Sequence, residues 1–433
     1  MGDASTYKIE TLCLHAGQEI DASMARAVPL HRTSSYLFRD TEHAANLFAL
    51  KELGNIYTRL MNPTQDVLEK RMAALEGGAA ALAVSSGTAA VHYAIINICQ
   101  QGDEIVSAND LYGGTYTMFN NIHPQFGVKV NWVDGRDPEN YAKAITPKTR
   151  AIFCETVSNP ALNVTDMAAV ADIAKAHGVP LIVDSTFTTP YLLRPIEHGA
   201  NIVCHSLTKW LSGHGTMIGG VCVDANTFDF TKEPEKFPLF NEPEGSYHDL
   251  RFGPDIAALG LPPFIMRMRL VPLRNLGACI SPDNAWMAMQ GIETLPLRVQ
   301  RQCDNAMAVA KHLKDRKGVE WVRYPGLKDD PQHDIAQKYL KNGFGGMVVF
   351  GIQGGKAAGA KFIEALKLFS HLANIGDAKS LAIHPASTTH SQLSEEEQLA
   401  GGIKPELIRL SIGIENIDDI LSDIDQAISA AIK

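Results

Sequence analysis

The chain has 433 residues, more than one hydrophobic core usually serves, so its length predicts two domains. Hydrophobic residues make up 45% of it and charged residues 20%, which is ordinary for a soluble globular enzyme. The net charge of -9 is spread along the chain without a basic stripe, which argues against a nucleic-acid partner. The first residues lack the charged and then apolar pattern of a secretory signal.

The chain contains seven cysteines, which are scattered and form no CxxC pair. Three of them, Cys154, Cys204 and Cys222, lie within apolar, strand-like runs. This arrangement predicts reduced thiols in a cytoplasmic protein instead of disulfides or a zinc site. Two histidines near position 384 lack a third ligand, so we predict no metal.

Residues 1–65 have irregular periodicity, several turn signals and aromatic residues with an exposed pattern. Such a segment suits an arm that lies across a neighbouring subunit better than an independent core. We therefore predict an N-terminal arm over residues 1–65.

Helix-like and strand-like runs alternate over residues 66–280. Helices are predicted at 66–75, 89–99 and 166–177, and strands at 79–84, 104–108, 127–133, 151–155, 180–184, 202–205 and 219–223. The alternation predicts an α/β domain in which helices cover both faces of a mostly parallel, seven-stranded sheet.

Residues 77–102 contain no Asp, Glu, Lys or Arg, as a membrane-spanning helix also would. The polar run Ser85-Ser86-Gly87-Thr88 interrupts this stretch at its centre. A buried strand followed by a buried helix explains the stretch better, and we predict no membrane segment.

Residues from about 225 to 275 break the alternation and are rich in Pro, Phe, Asp and Glu. We interpret them as a long insertion, which in a compact enzyme is usually functional or mobile. Residues 281–433 carry helical patterns at 284–290, 297–314 and 417–432 and strand patterns at 346–350 and 407–412. They predict a smaller C-terminal α+β domain.

Two charged side chains follow two successive predicted strands. Asp184 ends the first strand, and Lys209 follows the second after Ser206 and Thr208. Because the carboxyl ends of adjacent strands meet at one crevice of an open α/β sheet, these groups should converge there. A carboxylate, two hydroxyls and an amine suit a pyridoxal 5'-phosphate (PLP) enzyme, in which the lysine forms the Schiff base and the aspartate holds the pyridine nitrogen protonated. Alternatively, Lys209 is a solvated lysine and Asp184 caps a turn.

A phosphate site is predicted where the strand 79–84 gives way to the helix 89–99. Ser86, Gly87 and Thr88 lie at this junction, where a helix N-terminus offers free N–H groups and glycine permits close approach. The same residues also serve as simple helix caps. The chain has no GxxxxGK[ST] motif, and its glycine cluster at 213–219 does not follow a first strand, so the P-loop and dinucleotide alternatives lack support.

Two further residues follow predicted strands of the same sheet. Tyr112 comes after the strand 104–108, where a ring can stack on a flat cofactor and a phenol can move protons. Asn159 follows the strand 151–155 and is positioned to hydrogen-bond a cofactor ring oxygen. The alternatives are a surface tyrosine in a turn and a turn asparagine before proline.

A substrate-carboxylate site is predicted in the C-terminal domain. Arg409 lies within the strand-like run 407–412, and a buried arginine requires an anion. Its forked geometry suits a carboxylate, and the hydroxyls of Ser387 and Thr388 are candidates to lie beside it. A structural ion pair is the alternative.

The chain resembles the Cys/Met-metabolism family of PLP-dependent enzymes over essentially its whole length. The matching segments are Leu14-His-Ala-Gly17, Tyr57-Thr-Arg-Leu-Met-Asn-Pro-Thr64, Ser85-Ser-Gly-Thr88, Tyr112-Gly-Gly-Thr115, Ser158-Asn-Pro160, Asp184-Ser-Thr-Phe187 and Ser206-Leu-Thr-Lys209. The resemblance implies a fold-type I, aminotransferase-like subunit in a homotetramer whose active sites are shared within dimers.

The resemblance also implies roles for individual residues. It gives Lys209 the Schiff base, Asp184 the pyridine nitrogen, Tyr112 ring stacking and Arg409 the substrate carboxylate. Cofactor binding extends to Ser86, Gly87, Thr88, Asn159, Thr186, Ser206 and Thr208, and, across the subunit boundary, to Tyr57 and Arg59. Asn159, Ser387 and Thr388 are the further candidates for substrate binding.

Within the family, the chain is most similar to the members that join O-acetylhomoserine and sulfide. Gly113-Gly114 stands where methionine γ-lyases typically carry a cysteine, and Lys379 stands where cystathionine γ-synthases and β-lyases typically carry a glutamate. The resemblance implies a γ-replacement that yields homocysteine and acetate, with Lys209 moving protons and Tyr112, or else Tyr57, assisting at the leaving group. A γ-lyase, a cystathionine synthase and a non-catalytic protein that keeps the fold are the alternatives.

Overall fold

The computed structural model describes residues 6–388 and 404–432, together with 396 and 402. Two sheets organise the chain. The strands are β1 (Ala80–Val84), β2 (Glu104–Ala108), β3 (Lys129–Val133), β4 (Thr149–Glu155), β5 (Leu181–Asp184), β6 (Ile202–Ser206), β7 (Gly220–Asp224), β8 (Val319–Arg323), β9 (Met347–Ile352), β10 (Ser370–His371), β11 (Leu381–Ile383) and β12 (Leu407–Ser411).

The first sheet has seven strands in the order β1-β7-β6-β5-β4-β2-β3. Strands β2 to β6 pair in parallel, and only β7 runs against its neighbours β1 and β6. The central strands are short apolar runs that are buried along almost their whole length, as expected when helices cover both faces. The predicted seven-stranded, mostly parallel sheet is confirmed.

Helices surround both sheets. The α-helices are α1 (Ile9–His15), α2 (Thr41–Phe48), α3 (Pro63–Glu76), α4 (Gly87–Ile96), α5 (Gly113–Thr117), α6 (Glu139–Ala144), α7 (Met167–Ala176), α8 (Thr189–Leu192), α9 (Pro238–Asn241), α10 (Pro254–Ala258), α11 (Pro263–Met268), α12 (Arg274–Leu276), α13 (Pro282–Glu293), α14 (Leu295–Lys314), α15 (His333–Tyr339), α16 (Gly355–Ala365) and α17 (Ile417–Ala431). Shorter 3-10 or π segments span Met118–Ile122, His123–Phe126, Pro195–His198, Arg269–Leu273 and Pro385–Ser387. In the described part of the chain, no helix has both the length and the apolar character needed to cross a bilayer.

The second sheet has five strands in the order β10-β11-β12-β9-β8 and is mostly antiparallel. Its core passes to that of the first sheet inside α14, where Cys303 packs with the large core and Ala306 with the small one. The boundary between the two hydrophobic cores therefore falls within one continuous helix. The domain division at residues 66–280 and 281–433 stays a prediction.

The N-terminal segment is anchored at one end and exposed along much of its length. Helix α1 docks Leu12 and Cys13 into the large core, whereas Met24, Leu37 and Leu53 leave 78%, 98% and 68% of their surface exposed. Exposed apolar side chains in series are typical of a surface that a partner covers. This pattern supports the predicted arm, although α1 ties its first part to the same subunit.

The insertion after β7 has its own aromatic packing. Phe230 stacks on Phe240 with ring centroids 4.0 Å apart, and Phe237 meets Phe230 edge to face. All three rings are buried and belong to the large core. The insertion is therefore a packed extension of the large sheet's core, held by aromatic contacts.

Candidate active site

A cavity of about 570 Å³ opens at the carboxyl edge of the first sheet, next to β12 of the second. Half of the residues that line it are predicted from the sequence: Ser86, Gly87, Thr88, Tyr112, Asn159, Asp184, Thr186, Ser206, Thr208, Lys209 and Arg409. They come from separate strand ends and loops, which parallel strand order brings to one edge. The structure thus brings together the cofactor and carboxylate groups expected from the sequence.

Asp184 ends β5 at the floor of the cavity. Its Oδ1 accepts a hydrogen bond of 2.9 Å from the N–H of Thr186. Burial raises the pKa of Asp184, while the hydrogen bonds from Thr186 and the charges of His205 and Lys209 oppose that rise. A buried carboxylate of this kind is stabilised by a cationic partner, such as a protonated pyridine nitrogen.

Lys209 follows β6 and faces the same cavity. Burial lowers the pKa of Lys209 to about 8, the nearby charge of Arg409 lowers it as well, and Asp184 acts against this shift. The Nζ atom donates a hydrogen bond of 2.5 Å to Oδ1 of Asn374. Lys209 is therefore an amine that loses its proton more readily than a surface lysine, as a Schiff-base lysine requires.

The predicted phosphate site lies where helix α4 begins. Ser86 caps this helix, because its Oγ accepts a 3.0 Å hydrogen bond from the N–H of Ala89. Any Cβ at Gly87 would lie 2.6 Å from the Cβ of Ser206, so only glycine allows the two strand ends to approach this closely. Thr186 joins the cluster by accepting from the N–H of Ser206 at 2.8 Å. The free N–H groups of the first turn and these hydroxyls suit a phosphate.

Arg409 reaches the cavity from β12. The residue is 7% exposed, and its guanidinium donates to Oδ1 of Asn159 at 3.0 Å and to the carbonyl oxygen of Asn374 at 3.3 Å. Burial lowers the pKa of Arg409 to about 10. Among the residues that the structure describes, no carboxylate forms an ion pair with it. A buried cation held only by neutral groups is ready for an anionic substrate group.

Tyr112 stands at the start of α5, on the rim of the cavity, with 49% of its surface exposed. Its N–H donates a 2.7 Å hydrogen bond to Oε1 of Glu155. A Cβ at Gly114 would lie 2.5 Å from the Cε1 atom of the tyrosine ring, so a side chain at 114 would displace the ring from this position. Gly114, one of the two glycines that stand where methionine γ-lyases typically carry a cysteine, thus has a direct steric relation to Tyr112.

Four of the predicted site residues do not line this cavity. Tyr57 and Arg59 lie on the exposed arm, where the Arg59 guanidinium sits 5.4 Å from the centroid of the Tyr57 ring. Ser387 and Thr388 follow β11, and their hydroxyls hydrogen-bond to His384 at 2.6 and 2.8 Å. Their roles stay predictions.

Lys379, which the sequence comparison used to judge specificity, is exposed and also lies outside the cavity lining. Its backbone N–H donates to Oδ1 of Asp377 at 3.0 Å. Its side chain therefore gives no support of its own for a small nucleophile.

Asn374 and Glu155 are two of the lining residues that sequence reasoning missed. Asn374 lies in a loop without apolar periodicity, and only the fold brings it to Lys209. Glu155 ends β4 in the same way that Asp184 ends β5. The sequence signal that could have identified Glu155 is therefore a carboxylate at the end of an apolar strand.

The donor set of the cavity fits PLP. Asp184 suits the ring nitrogen, Lys209 suits the aldehyde carbon, and the start of α4 with Ser206 and Thr208 suits the phosphate. Close contact between Gly87 and Ser206 makes this last part a tight cradle instead of an open surface. Arg409 remains for the carboxylate of an amino-acid substrate.

The chain is similar to known proteins over nearly its whole length. The chain is 53% identical to an O-acetyl-L-homoserine sulfhydrylase of Leptospira meyeri, and the match covers 98% of this chain and 97% of that protein. It is 50% identical to a homocysteine synthase of Schizosaccharomyces pombe over 98% of each chain.

A solved structure from Campylobacter jejuni, a putative O-acetylhomoserine (thiol)-lyase that carries a pyridoxyl-lysine phosphate, superposes with a TM-score of 0.95. It is 41% identical and covers 98% of this chain and 100% of its own. The family described as Cys/Met metabolism PLP-dependent enzyme matches residues 10–429. The chain therefore belongs to the Cys/Met metabolism family of PLP-dependent enzymes.

Proposed function

We propose that the chain catalyses γ-replacement: O-acetylhomoserine and sulfide, or a small thiol, give homocysteine, or methionine, and acetate. The observation that carries this proposal is one cavity in which an amine, Lys209, and a carboxylate-binding cation, Arg409, face each other beside the buried acid Asp184. The names of the similar proteins, sulfhydrylase and homocysteine synthase, support the same chemistry. The reaction belongs to methionine and cysteine biosynthesis.

The cofactor, when bound, supplies an electron sink that stabilises negative charge at the substrate carbons. Asp184 holds the proton on the ring nitrogen, because its buried carboxylate gains most from a cationic neighbour. The hydroxyls of Ser86, Thr88, Ser206 and Thr208 hold the phosphate, with Thr186 orienting the end of β6. Tyr112 and Asn159 also line the cavity, where Tyr112 would cover the ring and Asn159 would hydrogen-bond its oxygen.

Lys209 moves the protons of the reaction. As a free amine, Lys209 would remove the proton from the α-carbon of the substrate and then relay one from the β-carbon. A pKa of about 8 leaves part of the amine unprotonated near neutral pH, so it can accept that proton. Asn374 accepts from the Nζ atom at 2.5 Å and thus gives the released amine a fixed position.

The leaving group departs from the γ-carbon, farther from Arg409 than the α-carbon. Tyr112 is the side chain that we propose for proton transfer there, because its hydroxyl is carried on the rim of the same cavity. Tyr57 is the second candidate and would act from a neighbouring subunit. Its position on the exposed arm, outside the cavity of its own chain, supports such a role.

We expect Arg409→Ala to raise the KM for O-acetylhomoserine by about 100-fold, because a buried charge that binds a carboxylate contributes several kcal/mol. The effect on kcat should be smaller, since Arg409 does not contact the reacting carbons. Steady-state kinetics with varied O-acetylhomoserine measures both constants. Exposed Arg301 on α14 provides the matched control, and Arg301→Ala should leave both constants unchanged. An unaltered KM in Arg409→Ala would refute the carboxylate assignment.

Product analysis tests the reaction itself. The protein with PLP and O-acetylhomoserine is incubated with and without sulfide, and homocysteine, acetate, 2-oxobutyrate and ammonia are measured. Homocysteine that appears only with sulfide, with little 2-oxobutyrate in its absence, is the expected result. Dominant 2-oxobutyrate and ammonia in both samples would identify a γ-lyase instead. A protein that binds no PLP would point to the non-catalytic alternative.

We also propose a homotetramer in which the arm of one subunit brings Tyr57 and Arg59 to the phosphate of another. The exposed apolar side chains of the arm support this assembly.

A cytoplasmic location is proposed as well. It is supported by seven cysteines that are all free. Among them are Cys204 and Cys222, whose sulfur atoms lie 3.2 Å apart without forming a disulfide bond.

A further inference from the structure

Glu155 is a buried acid at the cavity wall for which the reaction described above has no use. It ends β4, lines the cavity and is only 8% exposed. We propose that Glu155 is a positioning residue that fixes Tyr112 against the cofactor ring and does so as an uncharged acid. This inference rests on the proposed function, in which Tyr112 covers the cofactor ring and Asp184 holds the ring nitrogen.

The contact between Glu155 and Tyr112 fixes the backbone that carries the ring. Oε1 of Glu155 accepts from the Tyr112 N–H at 2.7 Å. Tyr112 is the N-cap residue of α5, a helix of five residues, and its side chain makes no capping hydrogen bond. Its carbonyl oxygen accepts from the N–H of Tyr116 at 3.0 Å, whereas its own N–H is held by Glu155. The ring itself rests on Gly114, where no side chain is present to support it. Removing the acceptor at 155 would therefore free the tyrosine to move away from the ring.

The protonation state of Glu155 follows from its neighbours. Glu155 and Asp184 are register partners on β4 and β5, so both side chains leave the same face of the sheet. Two carboxylates side by side in a buried site do not both ionise without compensation. In the described part of the chain, no lysine, arginine or histidine forms an ion pair with Glu155.

Asp184, unlike Glu155, has neighbouring groups that stabilise its charged form. The N–H of Thr186 donates to it, and the positive groups of Lys209 and His205 favour its charged form. For Glu155, burial raises the pKa well above its ordinary value, and the negative charges of Asp184 and Asp110 raise it further, against the single hydrogen bond from Tyr112. The negative charge of the pair therefore resides on Asp184, where the ring nitrogen needs it, and Glu155 contributes an acceptor without a charge.

Two neutral replacements of Glu155 separate the effect of its hydrogen-bond acceptor from the effect of a negative charge. Glu155→Gln keeps the Oε1 acceptor, and Glu155→Met keeps the length of the side chain but removes the acceptor. We expect the Gln variant to bind PLP within about twofold of the wild-type dissociation constant, because both acceptor and neutrality are retained. The Met variant should bind PLP about tenfold more weakly, as expected when the Tyr112 N–H loses its partner.

The measurement is a PLP titration of the apoprotein without substrate, followed by absorbance and by the circular dichroism of the bound cofactor between pH 6 and 9. The dichroism reports the orientation of the ring, and we expect it to change in the Met variant only. In the Gln variant the pH dependence of the spectrum should match that of the wild type, because no charge has been removed from the site.

Three results would overturn the inference. They are a Met variant that binds PLP like the wild type, a Gln variant as weak as the Met variant, and a pH-dependent spectrum that shifts in the Gln variant. If the Met variant does not fold, Glu155→Asp replaces it, because that carboxyl stops one methylene short of the Tyr112 N–H and should show the same loss. No substrate is present in these titrations, so failure of the γ-replacement proposal would leave their outcome unaffected. A wild type that binds no PLP would overturn both.

Discussion

Changing Lys209 to alanine is expected to lower kcat by about 10⁴-fold or more, because the chain loses both its covalent attachment to the cofactor and the base that moves the protons. The cavity holds no second lysine among its described lining residues, so nothing else can take over that role. The fold should persist, since among the described residues the lysine side chain makes a single hydrogen bond, to Asn374, and its burial disfavours the charged form.

Two measurements check this result. The first is kcat with O-acetylhomoserine and sulfide at saturating PLP. The second is borohydride reduction followed by peptide mass spectrometry, which should find the pyridoxyl group on the Lys209 peptide in the wild type and nowhere in the variant. Exposed Lys311 on α14 offers a matched control, and Lys311→Ala should behave like the wild type in both assays. Near-normal turnover in Lys209→Ala would exclude the proposed mechanism.

Replacing Asp184 with asparagine is expected to lower kcat by about 10³-fold, the scale seen when one preorganised electrostatic group is removed. Asparagine has the same shape and can still accept from the Thr186 N–H. It has no charge, so the pyridine nitrogen would lose its proton and the cofactor much of its capacity as an electron sink. Asp184→Ala should lose at least as much.

The loss in Asp184→Asn should appear without unfolding, because neutralising a buried carboxylate removes a desolvation cost. Thermal unfolding followed by far-UV circular dichroism tests stability, and kcat together with the absorption spectrum of bound PLP tests the site. Asp172→Asn, at an exposed position of α7, is the matched control. Wild-type activity in Asp184→Asn would show that another group holds the ring nitrogen.

The first sheet shows how far local patterns reach. Its seven strands are short runs of four to seven residues, most of them apolar, so the strands could be located from the sequence. The carboxyl-edge rule for parallel strands then placed Asp184, Ser206 and Lys209 in one crevice, and the structure has all three in the cavity lining. Arg409 was found by a related signal, a charge inside an apolar strand.

The insertion and Glu155 show where local patterns fail. Residues after β7 have no strand or helix periodicity, yet aromatic rings distant in sequence from one another, such as Phe230 and Phe264, pack together there. Glu155 ends a strand as Asp184 does, but its meaning depends on the N–H of Tyr112, 43 residues earlier in the chain. Contacts of this kind have no local signature, because they depend on strand order and register.

By itself, the sequence determined the seven strands, the family and eleven of the residues that line the cavity, since these follow from hydrophobic periodicity and from motifs whose residues lie close together in the chain. Only the tertiary structure decided that Asn374 meets Lys209 and that Arg409 lies among neutral partners. The physical reason is that these contacts join the two sheets or distant loops, and their geometry is set by the packing of whole elements instead of by neighbouring residues.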